Sequence, residues 1–125
     1  MISANSIDSV AGFEKFVEML PQNDSTFDVG DAIAKYDKIG FFADGTPCGL
    51  LLCLVVIVGG RRIFFISALA VSTQVDGADI YKWVENKARE MDCEKLVFES
   101  PRKGMLWNAR RFDWRISNVK YEKDL

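Results

Sequence analysis

The segment CGLLLCLVVIVGGRRIFFISALAVSTQVDGAD, residues Cys48–Asp79, decides the fold. Two apolar runs flank Gly59-Gly60-Arg61-Arg62, and a polar turn holding Gln74 and Gly77 follows them. Cys48–Val58 is rich in Leu, Val and Ile, and Ile63–Val71 in Ile, Phe and Ala. Both are too short and too β-branched to favour helices, so they read as adjacent, largely buried strands. Gly59-Gly60 supplies a tight turn between them, or a bulge where the sheet bends. The polar turn then feeds an amphipathic helix. Strand, glycine-containing turn and helix together point backbone N–H groups at an anion, usually a phosphate.

That helix is expected over Asp79–Met91. Ile80, Trp83, Val84, Ala88 and Met91 form its apolar stripe, and Lys82, Glu85, Lys87, Arg89 and Glu90 face outward. Beyond it, Lys95–Glu99 reads as a buried strand around Leu96-Val97-Phe98. Ser100-Pro101 opens a last helix, with proline at its first position and Met105, Leu106, Ala109 and Phe112 along one side. Arg115–Glu122 closes the chain as an edge strand.

Upstream, Ile39–Ala43 reads as a strand joined by the turn Asp44-Gly45-Thr46-Pro47 to the first core run. Ile2–Ala4 is expected to be a short opening strand. Asn5 or Ser6 then caps a helix whose positions Ile7, Val10, Phe13, Phe16, Val17 and Leu20 share a face. Asp28–Tyr36 is a second helix. The order is β-α-α-β-β-β-α-β-α-β: an α/β (α+β) protein with a mixed central sheet and helices on both faces.

Bulk properties bound the function. The 125 residues are expected to form one domain, 1–125, with 49% apolar and 27% charged residues, an ordinary globular composition. A net charge of −2 gives no whole-chain argument for nucleic acid or an anionic membrane surface. The charge is uneven: residues 1–46 carry three Lys/Arg against eight Asp/Glu, and residues 47–125 thirteen against ten. The chain has no histidine, which removes Ser-His-Asp and Cys-His catalysis and imidazole metal ligation. Cys48, Cys53 and Cys93 form no C-x-x-C pair, and Met1 is followed by a polar segment rather than a signal peptide. Reduced thiols in a cytoplasmic protein without a metal are the expectation. The Arg-Arg interruption leaves the apolar run short of the ~20 residues that a spanning helix needs.

The element order, and the end of a core strand at Leu69-Ala70-Val71 before a glycine-containing turn, resemble the GCN5-related N-acetyltransferase superfamily. The family signature [Gln/Arg]-x-x-Gly-x-[Gly/Ala] aligns with Gln74-Val75-Asp76-Gly77-Ala78-Asp79, matching at Gln74 and Gly77 and departing at Asp79. The later pattern Leu-Tyr-x-x-x-Gly-Phe aligns with residues 106–112. Leu106 and Phe112 match, Trp107 replaces Tyr, and Arg111 replaces Gly. The chain thus resembles a compact, degenerate member, similar to forms carried by bacteriophages.

The resemblance implies acetyl-CoA as co-substrate and an amine of a small molecule or protein as acceptor. Leu69, Ala70 and Val71 would offer backbone groups to the pantetheine arm. The N–H groups of Val75, Asp76, Gly77, Ala78 and Asp79, with Gln74, would cradle the pyrophosphate. A carboxylate at Asp79 opposes that charge by roughly 4 kcal/mol at ~4 Å and an effective dielectric near 20.

Acyl transfer needs a base for the amine and an acid for the leaving thiolate. Residues 48–75 contain no Asp or Glu, so Glu99 is the candidate base. With Trp107 in place of Tyr, Ser100 is the candidate acid, although a helix N-cap is its plainer role. The alternative is a catalytically reduced module of the same fold, acting through the basic segment Arg102, Lys103, Arg110, Arg111 and Arg115. A homodimer through the terminal edge strand, or an unrelated mixed α/β protein, also fits the pattern.

Overall fold

A computed structural model describes residues 2–20, 29–72 and 75–98. Five strands, β1 (Ile2–Ile7), β2 (Asp37–Ala43), β3 (Thr46–Val58), β4 (Arg61–Val71) and β5 (Lys95–Phe98), form one sheet in the order β1-β2-β3-β4-β5. The first four pair antiparallel, β2, β3 and β4 through two-residue turns and β1 to β2 through two helices, and β5 joins β4 in parallel after the crossover helix α3 (Gly77–Glu90). Helices α1 (Glu14–Met19) and α2 (Val29–Lys35) lie earlier in the chain. The expected last helix and edge strand lie outside the described residues.

The sheet is mixed and covered on both faces, as the sequence pattern requires. Under α3, Ile39, Phe41, Leu51, Phe64 and Ile66 pack on Ile80, Val84 and Ala88. On the opposite face, Phe13, Phe16, Leu20 and Ala32 pack on Leu50, Leu52, Ala68 and Ala70. Phe41 and Phe42 point to opposite faces. Phe41 meets Trp83 edge-on at 5.1 Å between centroids, and Phe42 meets Phe13 at 5.5 Å. Phe41 is fully buried, so it lines no open cleft. No helix among the described residues is long and apolar enough to cross a membrane.

The opening differs from expectation. The first strand runs on to Ile7, pairing from Ile2↔Ala43 to Ile7↔Lys38. Asn5 and Ser6 therefore sit inside a strand and cap no helix. Helix α1 starts only at Glu14, after Gly12 at φ +87°, and has no side-chain cap. The apolar positions from Ile7 to Leu20 still reach one core, because a strand end, a turn and a short helix deliver them to the same face. Gly40 makes room for this cluster: a Cβ there would lie 2.5 Å from Cζ of Phe13.

Gly59 and Gly60 form the β3–β4 turn at φ +58° and +78°, backbone that suits glycine and matches the twist of a two-residue hairpin. The bulge in β4 lies elsewhere. Leu52 pairs with Ala68 and Cys53 with Ile66, leaving Ser67 as the extra residue. Phe64 and Ile66 accordingly face α3, whereas Ala68 and Ala70 face the other side.

Candidate functional site

The bulge at Ser67 lies one residue past Ile66↔Phe98, the last β4–β5 pair among the described residues. Those strands match over Ile63↔Lys95 to Ile66↔Phe98, while β3 continues along β4 as far as Val71↔Gly49. A bulge bends its strand and increases the local twist. From Ser67 to Val71, the β5 side of β4 has no strand partner among the described residues. Alternate N–H and C=O groups of an extended strand face each edge, the groups by which a free strand edge binds an extended ligand. Leu69 and Val71 are half-buried against the α3-side core, and Ala70 is buried on the opposite face.

The turn after β4 leads into the first turn of α3. The N–H of Ser72 donates to the carbonyl of Cys48 at 2.9 Å, and that of Val75 to the carbonyl of Ser72 at 3.2 Å. Asp76 is the N-cap: its Oδ1 accepts from the N–H of Ala78 at 2.9 Å, while its carbonyl accepts from the N–H of Asp79 at 3.1 Å. The cap is therefore Asp76, and Asp79 is an exposed side chain in the first turn. Three of the five N–H groups expected to form the cradle are thus engaged within the turn. The N–H groups of Asp76 and Gly77 have no acceptor among the described residues.

Gly77 bears on whether this turn suits a phosphate ligand. A Cβ there would meet only Cε2 of Tyr81, at 4.0 Å. The protein's own packing would accept alanine, which favours a helix over glycine. A glycine that packing does not require fits close approach of a ligand to the backbone. The carboxylates work the other way. Asp76 and Asp79 are both exposed, so water brings their opposition to a phosphate nearer ~1 kcal/mol each at 4 Å. The turn leaves the Asp76 and Gly77 N–H groups for an anion, while Asp76 Oδ1 occupies the Ala78 N–H.

Gln74, Glu99 and Ser100 lie outside the described residues, as do Trp107 and the basic segment 102–115. Glu99 follows Phe98, the residue opposite Ile66 where the pairing of β4 with β5 ends. Sequence reading missed the bulge at Ser67. Its one trace is a size step, since alternate residues fall from Phe64 and Ile66 to Ala68 and Ala70.

A second concavity, of about 210 Å³, lies under the far part of α3, lined among others by Asp37, Cys53, Trp83, Lys87 and Met91. None of its lining residues belongs to the Ser67–Val71 half of β4 or to residues 75–79. Burial, with a smaller contribution from the Asp37 carboxylate, pushes the Cys53 thiol up to about 12, and burial also raises Cys48. Neither thiol is a ready nucleophile. Arg61 and Arg62 tie down the α3–β5 connection. Arg62 Nε donates to the carbonyl of Met91 at 2.9 Å, and Arg61 Nε lies 3.7 Å from the Glu94 carboxylate.

Four antiparallel strands followed by a crossover helix and a parallel strand match the GCN5-related N-acetyltransferase fold, and this chain has it. Solved structures carry the same likeness. A ribosomal-protein-alanine N-acetyltransferase from Brucella melitensis biovar Abortus 2308 superposes with a TM-score of 0.74 at 16% identity, over 100% of each chain. An aminoglycoside N-acetyltransferase in complex with CoA gives 0.66 at 10% identity, over 99% of this chain and 95% of the other. A transcriptional regulator from Bacillus halodurans C-125 gives 0.69 at 12% identity, over 100% of both. At such identities the likeness is one of fold. No protein-family model and no curated protein matches the chain.

Proposed function

We propose that the chain binds an acyl-CoA along the open half of β4 and transfers its acyl group, most simply acetyl, to an amine of a small molecule or protein. The observation that carries this reading is the bulge at Ser67 on β4, followed by a turn into α3 in which the Asp76 and Gly77 N–H groups have no acceptor among the described residues. Backbone groups of Leu69, Ala70 and Val71 hold the pantetheine arm in the manner of an added strand. The N–H groups of Asp76 and Gly77, with Gln74, receive the pyrophosphate at the start of α3. Acetyl-CoA supplies an activated thioester. The amine nitrogen bonds to its carbonyl carbon, the C–S bond breaks, the amine's proton passes to Glu99, and Ser100 protonates the departing thiolate. The acidic first third of the chain favours a cationic acceptor. Among solved neighbours, one is described as acting on a ribosomal protein's alanine and others on aminoglycosides.

One observation favours a second reading, a binding module of this fold without turnover: three of the five cradle N–H groups are satisfied internally. A thermal-shift assay with acetyl-CoA, followed by free-thiol release over an amine panel, separates the two. Stabilisation with turnover supports transfer, and stabilisation without turnover supports the module. No stabilisation at millimolar acetyl-CoA rejects the acyl-CoA site.

A further inference from the structure

Helix α3 covers the sheet unevenly. Its buried stripe of Ile80, Val84 and Ala88 sits on the core residues of β2, β3 and β4. Trp83, Lys87 and Met91 follow one another at intervals of four, along one flank of the helix. Between that flank and the sheet lies the hollow of about 210 Å³. Strand alternation supplies its floor, because Ile39, Val55 and Phe64 share the face under α3. Trp83 stands as its wall, and its ring is held edge-on by Phe41 at 5.1 Å.

Charge at this hollow is one-sided. Lys87 Nζ lies 3.7 Å from Glu90 Oε2 on the same helix, so that pair is close to neutral. Asp37 stands two residues before Ile39, on the same face, and has no hydrogen bond or ion pair among the described residues. Its carboxylate is near enough to Cys53, its partner across the strands, to help keep that thiol protonated. Asn5 and Ser6 of β1 bring an amide and a hydroxyl to the rim, also without partners among the described residues. Asp8 adds a second carboxylate at that end of the sheet, since it follows Ile7, the partner of Lys38.

We propose that this hollow binds a small arylalkylammonium ion, with its ring on the apolar floor beside Trp83 and its ammonium group at Asp37. Size sets the first requirement. A dry cavity of about 150 Å³ accommodates benzene, so about 210 Å³ holds one ring and an arm of a few further atoms. Charge sets the second. A neutral ring leaves the Asp37 carboxylate unmatched and an anion is repelled by it, whereas a cation is attracted by both the carboxylate and the indole. The site shares no residue with the open half of β4 or the first turn of α3 and does not rest on acyl transfer.

Titration of phenethylamine into the full chain, without any acyl-CoA and followed by backbone amide shifts, tests the proposal. Saturable shifts are expected by about 10 mM, concentrated at residues 4–6, 37–39, 53–55 and 83–91, while phenylacetate leaves them unmoved. Asp37 is exposed, so Asp37→Asn leaves the fold intact; it is expected to weaken binding about fivefold. Ala4→Phe places a ring in the hollow and is expected to remove the shifts in a protein that still melts cooperatively. No saturable shift, shifts confined to residues 67–71 and 75–79, an equal response to phenylacetate, or unchanged affinity in Asp37→Asn overturns the proposal.

Discussion

Asp76 Oδ1 accepts a 2.9 Å hydrogen bond from the Ala78 N–H, so a carboxylate of the chain itself sits where the proposed pyrophosphate would lie. It stabilises the start of α3 as an N-cap and competes with an anionic ligand for the same donor. Asparagine caps about as well as aspartate but carries no charge. Asp76→Asn is therefore expected to tighten acetyl-CoA binding about five- to tenfold, for roughly 1 kcal/mol of relieved repulsion, with little change in melting temperature. Asp76→Ala is expected to lose about 1 kcal/mol of stability with the cap. Calorimetric titration paired with thermal melts reads both effects.

Ser67 is the extra residue of the β4 bulge, so deleting it restores a regular ladder without exchanging the faces of Ile66 and Ala68. The deletion variant is expected to keep its far-ultraviolet circular dichroism and cooperative melting. It is expected to lose more than roughly tenfold in acetyl-CoA affinity, because straightening β4 removes the bend at its open edge. Undiminished binding would show that the bulge does not shape the site.

Two glycines separate packing from ligand approach. At Gly40 a Cβ would lie 2.5 Å from Cζ of Phe13, whose ring is held by Phe42. Gly40→Ala is expected to cost about 1–3 kcal/mol, measured by urea unfolding. At Gly77 the same change meets only Cε2 of Tyr81, at 4.0 Å. Gly77→Ala is expected to raise stability by up to about 1 kcal/mol while weakening acetyl-CoA binding.

Burial, aided by the nearby Asp37 carboxylate, raises the Cys53 thiol from its ordinary 9.0 to about 12. The folded state therefore keeps a proton that the unfolded state releases first. This contribution to stability is fully present below pH 9 and is lost as pH rises toward 12, at up to about 1.4 kcal/mol per pH unit. Cys53→Ala is expected to show a shallower alkaline loss of stability than wild type, seen by comparing urea midpoints at pH 8 and pH 10.5. Identical slopes would contradict the assignment.

Much of the fold was legible because its strongest signals are local. Leu, Val and Ile across Cys48–Val58, glycines at a turn of positive φ, and the apolar stripe from Ile80 to Ala88 each act within one element. The start was misread because Ile7, Val10, Phe13, Phe16 and Leu20 fit a helical period yet are delivered to one core by a strand, a turn and a short helix. The bulge left only a size step, because β4 alternates half-buried and buried residues without a break from Ile63 to Val71 while the buried set changes face at Ser67. Asp79 was read as a carboxylate facing the cradle, and the cap was not assigned. The cap is Asp76 because only the residue just outside the helix has the extended backbone, here ψ 118°, that lets its side chain reach back to a first-turn N–H.

The claim at the centre, an acyl-CoA site along β4 and the first turn of α3, is tested most directly by isothermal titration of acetyl-CoA into the wild type and Gly77→Glu. Saturable binding at one site in the wild type, lost in a variant that still melts cooperatively, is the result expected. No heat with the wild type, or equal affinity in both proteins, would contradict it.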